Sequence, residues 1–140
     1  KMSVATADTS TETIKEEFFS AIIRGELSDL RIAQEIIDDG LDINTRDELG
    51  RSCLHYCAEH NHIDFFKILY NMGAYLAVRD KHGDTPLHLA VSFDRVEIAK
   101  LLINSGARID IRDDGGNVPE YFARLKKHKG IIKLFRKGDK

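Results

Sequence analysis

Tryptophan is missing from these 140 residues, and proline and cysteine occur only twice each. The two cysteines, Cys53 and Cys57, lie four apart in one predicted helix. That spacing excludes a disulfide framework and suits a reducing intracellular compartment, cytoplasmic and/or nuclear. No apolar run approaches the ~20 residues a membrane span needs. The N-terminal stretch KMSVATADTSTETIKEE has no apolar core, which excludes a secretory signal. Met2 is read as the natural start, Lys1 as an added residue, and 1–12 as a disordered tail. Also missing are a Ser/His/Asp arrangement, a glycine-rich phosphate loop and an H-E-x-x-H motif. The chain is therefore read as non-enzymatic, with no catalytic residues, no cofactor and no small-molecule substrate.

A net charge of −2 hides a strong polarity. Residues 121–140 carry eight Lys/Arg against the single acid Asp139, a balance of +7, and the remainder stands at −9. Such an asymmetry bears on partners, not on fold.

What the chain does have is a period. Gly50, Gly83 and Gly116 are 33 residues apart, as are Asp47, Asp80 and Asp113, and Arg46, Arg79 and Arg112. Overlaying 47–79 on 80–112 without a gap also pairs Leu54 with Leu87, His55 with His88, Leu69 with Leu102, and Gly73-Ala74 with Gly106-Ala107. Within 80–112, Thr85 caps a helix whose first residue is Pro86, the position where a missing N–H costs nothing. A second helix is predicted to open at Asp94, with Glu97 completing a capping box, and to end at a left-handed Gly106.

Thr85-Pro86-Leu87-His88-Leu89-Ala90, Gly106-Ala107 and the period together resemble the ankyrin repeat. The resemblance implies an all-α solenoid of stacked helix pairs with β-hairpin loops, in one domain over 13–137. Unit 47–79 keeps the frame with Ser52-Cys53-Leu54-His55-Tyr56-Cys57. Residues 14–46 read as an N-terminal capping repeat opened by a Thr13-x-x-Glu16 capping box. Its stretch from Gly25 to Gly40 is three residues longer than Asp94 to Gly106, so a longer loop or an extra turn is expected. Residues 113–137 read as the C-terminal cap: Val118 cannot cap, and Glu120 replaces a core leucine. In such repeats the signature histidines are expected to bond within the turn and tie neighbouring repeats.

Three constellations have both a functional and a plainer reading. Cys53, Cys57 and His60 fall on one helical face and are good zinc ligands. Against that, Cys57 replaces a buried small residue, and the spacing matches no structural zinc pattern. The basic segment from Arg124 to Lys129 is suited to acidic partners or nucleic acid, but lacks interleaved aromatics. A solvated cap face is the favoured reading. Arg46, Arg79 and Arg112 would stack about 10 Å apart, either as a ladder with the adjacent aspartates or as a cationic stripe for carboxylates.

The family likeness implies that hairpin tips and first helices line a groove that grips partners. Leu49, Arg51, Met72, Tyr75, Arg79, His82, Phe93 and Arg112 are the expected contact residues, large apolar anchors among them. The expected protein is a monomeric adaptor, scaffold or competitive inhibitor bound to another protein. The alternative is a metal- or nucleic-acid-binding regulator using 53–62 or the basic C-terminal segment.

Overall fold

The computed structural model describes residues 11–138. Eight helices follow one another: α1 (Thr11–Arg24), α2 (Leu27–Asp38), α3 (Cys53–His60), α4 (Ile63–Asn71), α5 (Pro86–Ser92), α6 (Val96–Asn104), α7 (Pro119–Lys126) and α8 (Lys129–Gly138). They pair as α1/α2, α3/α4, α5/α6 and α7/α8. The first helices form one layer, α1 on α3 on α5 on α7, and α4, α6 and α8 stack behind them. No strand occurs among the described residues; the expected β-hairpins are tight turns.

The core runs the length of the stack. Repeat-equivalent Leu54 and Leu87, and Leu69 and Leu102, are at most 1% exposed. Each contributes on the order of 2 kcal/mol by leaving water. Phe18, Ile22, Ala33 and Ile36 extend the core into the first pair, and Ala123, Ile131 and Phe135 into the last. No pair closes this core alone, so stacking is the source of stability.

Local chemistry sets the boundaries. Thr85 accepts a bond from the His88 N–H, and Pro86 opens α5 as expected. Asp94 does not open α6. It sits at φ 58°, beside the equivalent Asn61 and Lys127 at 61°, and the helix starts at Val96 behind Arg95. A left-handed residue ends each first helix and turns the chain into the second, which leaves Asp94 unable to act as an N-cap. The three extra residues of the first unit lengthen its second helix: α2 has 12 residues where α4 and α6 have nine. Helix α1 already begins at Thr11, with Glu12 in its first turn, so residues 11 and 12 are helical and Thr13 lies inside the helix. An acid there favours the positive end of the helix dipole. The rest of the expected tail, residues 1–10, lies outside the described residues.

Candidate functional site

The loops are built first from aspartates. Asp47 Oδ1 accepts from the N–H groups of Leu49 and Arg51, Asp80 Oδ1 from His82 and Asp84, and Asp113 Oδ1 from Gly115 and Asn117, all at 2.9–3.0 Å. One carboxylate oxygen thus closes each turn. The arginine column does not pair with these aspartates. Arg46, Arg79 and Arg112 donate instead to the carbonyls of Gly50, Gly83 and Gly116, four residues on. Arg46 also reaches the carbonyl of Arg79, and Arg79 lies 3.6 Å from Asp114. The ladder reading is thereby corrected: each aspartate is occupied by its own turn's amides. All three guanidiniums remain on the exposed loop edge.

Adjacent units are joined by a repeated set of bonds. His55 Nε2 donates to the Asp84 carbonyl at 2.8 Å, and His88 Nε2 to that of Asn117 at 2.9 Å. Their Nδ1 atoms accept from the N–H groups of Ser52 and Thr85 at 3.0 Å. Both rings are therefore neutral with the proton on Nε2, and burial pushes His55 down to about 4 and lowers His88 as well. A second link uses the residue after each left-handed turn. His62 bonds the carbonyl of Ile23, Arg95 that of Glu59, and His128 that of Ser92. A third joins the loops, with Lys81 N–H to the Leu49 carbonyl at 2.8 Å and Asp114 N–H to that of His82 at 2.9 Å.

A family model for ankyrin repeats in three copies matches residues 19–113. The chain belongs to the ankyrin-repeat family. Among curated proteins, none is a significant match. The match ends where the fourth helix pair begins, yet α7 and α8 of this ankyrin protein continue the stack. Ankyrin repeats are in general protein-interaction modules, and among the described residues no helix is long and apolar enough to cross a membrane.

The expected contact residues fall into three groups. Leu49, Tyr75 and Phe93 are 45%, 64% and 44% exposed, and His82, Arg79 and Arg112 are exposed on the loops. Tyr75 shares a shallow groove with Asn44, Arg46 and Arg79. Met72 packs half-buried against the core. Arg51 is drawn inward. It pairs with Glu59, lies 3.7 Å from Asp80, and sits 5.2 Å over the Tyr56 ring. These internal partners leave its guanidinium less available than the sequence suggested.

The Cys/His stretch is likewise committed. Cys53 and Cys57 are both fully buried, and burial pushes the Cys53 thiol up to about 12 and raises that of Cys57. Cys53 gives its S–H to the Ile43 carbonyl. His60 stacks between Tyr56 and His62, with centroids at 6.4 and 5.8 Å. A stacking role thus accounts for His60 without a metal. Asp84, His88 and Asp113 bring possible ligand atoms within 4.8 Å of one another, but both nitrogens of His88 are already bonded. The basic segment is partly committed as well. Arg124 pairs with Glu120, and Lys126 donates to Ser92 and lies 6.0 Å from the Phe93 ring centroid.

A cleft that the sequence reading missed, of about 360 Å³, lies between α1 and the first loop. Phe19, Ile23, Leu49 and Tyr56 line it together with Glu12, Glu16 and Glu48. Of these, only Leu49 was anticipated. Phe19 and Ile23 recur at i and i+4 on α1, which was the available signal. It went unread because the three-residue insertion puts the first unit out of register with the others.

Proposed function

We propose that this chain is a non-enzymatic protein–protein interaction module, an intracellular adaptor, scaffold or competitive inhibitor that binds a partner protein on its loop and first-helix face. One observation carries the reading: Leu49, Tyr75 and Phe93 stay exposed, from the first loop to the end of α5, while equivalent core positions are closed. Large side chains held out of a packed core by a rigid stack are suited to act as anchors in a partner's pockets. Arg79, His82 and Arg112 beside them supply polar contacts, whereas Arg51 and Met72 support the surface from behind.

The test is site-specific photo-crosslinking in cells. A benzophenone amino acid is placed at Leu49, Tyr75 or Phe93, and for comparison at Lys67 or Lys100, which are exposed on the second helices. Adducts confined to the first three positions are the expected result. Adducts confined to the lysine positions would overturn the assignment.

A further inference from the structure

We propose that the cleft between α1 and the first loop takes a basic segment of a partner protein, with a bulky apolar side chain against Leu49 and Ile23 and cationic side chains reaching Glu16 and Glu48. This rests on the reading of the chain as a protein-binding module and specifies the chemistry of what it binds.

The floor of the cleft is apolar and preformed. The rings of Phe19 and Tyr56 meet at 5.7 Å and are nearly covered, while Ile23 and Leu49 above them are 39% and 45% exposed. The Tyr56 hydroxyl donates to Asp47 Oδ2, so its polar end is already paired. An aliphatic or aromatic side chain placed there gains burial without leaving an unpaired polar group.

The walls decide the sign of the partner. Four acids and one cation, Lys15, line the cleft; Asp47 is consumed by the turn and by Tyr56, and Lys15 lies 3.5 Å from Glu12, which offsets its charge. Glu16 on α1 and Glu48 on the loop have no ion pair among the described residues. Two uncommitted carboxylates therefore flank one apolar floor from different elements. Charge beside a low-dielectric wall is screened less than charge in open water, so an acidic segment is repelled and a basic one drawn in. The far end of the stack has the opposite character: Lys129, Lys133 and Arg136 surround Ile132, with no carboxylate among the described residues lining that groove.

A second copy of the chain is a weaker occupant. Helix α7 does expose Tyr121 and Leu125, at 45% and 60%, among basic residues. However, on α7 Arg124 is paired with Glu120 and Lys126 is bonded to Ser92, and on α8, where Lys129, Lys133 and Arg136 surround Ile132, that isoleucine packs half-buried against the core and offers no projecting anchor.

The experiment uses the full chain and fluorescein-labelled peptides read by anisotropy. The probe is GKRLFRKG, compared with the acidic GEDLFDEG and the anchor-less GKRAARKG. The basic probe should bind at least ten-fold more tightly than either comparison peptide and weaken as salt rises from about 50 to 300 mM. Glu16→Gln/Glu48→Gln and Leu49→Ala, all at exposed positions, should each weaken it at least five-fold, while Lys129→Gln/Lys133→Gln should not. Equal binding of the acidic peptide, no binding of the basic one, or indifference to the cleft variants would overturn the proposal. Sedimentation equilibrium of the chain alone addresses the other occupant: salt-sensitive self-association abolished by Glu16→Gln/Glu48→Gln would replace the separate partner with a second copy. If the basic probe fails while crosslinks still form at Tyr75 and Phe93, this inference falls and the broader function stands.

Discussion

The internal repeat 80–112 and the following unit, read from its sequence as a cap, share one 33-residue frame but use it differently. Where the repeat has Thr85, Leu87 and His88, the cap has Val118, Glu120 and Tyr121. The first three are buried, Thr85 and His88 are bonded to one another, and His88 reaches forward to Asn117. In the cap, Val118 makes no side-chain cap bond, Glu120 turns to Arg124, and Tyr121 is half exposed. The same positions thus form a joint in one unit and a looser, partly exposed surface in the other. A signature histidine acts between units, and the tyrosine at its position makes no such bond among the described residues.

The sharpest test of that difference is His88→Ala against Tyr121→Ala. The first strands the Thr85 N–H and the Asn117 carbonyl at a buried joint, at a cost of about 2–4 kcal/mol. The second removes a half-exposed ring at a cost below about 1 kcal/mol. Urea denaturation followed by circular dichroism gives both values, and comparable losses would break the comparison.

A smaller effect is expected at the loop glycines. Gly83 and Gly116 both have left-handed backbones, at φ 78° and 84°, so alanine strains each by about 1 kcal/mol. At Gly83 an added Cβ would also lie 2.8 Å from the backbone N of Asp114, whereas at Gly116 nothing lies within 4 Å. The excess cost of Gly83→Ala over Gly116→Ala therefore isolates the inter-unit contact. Equal melting temperatures for the two variants would show that the loops do not press on one another.

The smallest effect is a pH dependence at the joint with the cap. Asp84 Oδ1 is buried with no donor facing it, and burial together with the neighbouring Asp113 pushes this carboxyl up to about 7. Because the folded state holds its proton more tightly than the unfolded chain does, this group's contribution is full below about pH 4 and is lost as pH rises through about 7. Asp84→Asn should therefore raise the melting temperature by at most a few °C at pH 8 and leave it nearly unchanged at about pH 4. His55 runs the other way: its contribution is full above about 6.5 and is lost as pH falls toward about 4. A uniform gain from Asp84→Asn at both pH values would point to packing in place of titration.

Periodicity made the stack legible, because each unit satisfies the same contacts 33 residues apart. The roles of Thr85 and Pro86 followed from local backbone chemistry, whereas the tying role of His55 and His88 came from the family resemblance. Asp94 was misread because its side chain suits an N-cap, while the backbone needed a left-handed residue at that point. Arg51 looked like a surface cation until Glu59, Asp80 and Tyr56 were seen to converge on it from three segments. The cleft was hidden for the same reason: its walls come from residues about thirty apart, in a unit whose register is shifted. Side chains positioned by their own turn can be read from neighbours in the chain; those positioned by stacking cannot.

The repeated joints bear on how such a chain grows. Each internal unit presents a histidine N–H and a loop carbonyl forward, and the matching carbonyl and loop N–H backward, so 80–112 is complementary to itself. A duplicate inserted after Arg112 would find the acceptors of its histidine and loop bonds already in place. Nothing in the joints counts the units. Val118, Glu120 and Tyr121 lack the forward contacts of Thr85, Leu87 and His88, so duplication of 80–112, and not of the unit after it, lengthens the stack with its joints intact.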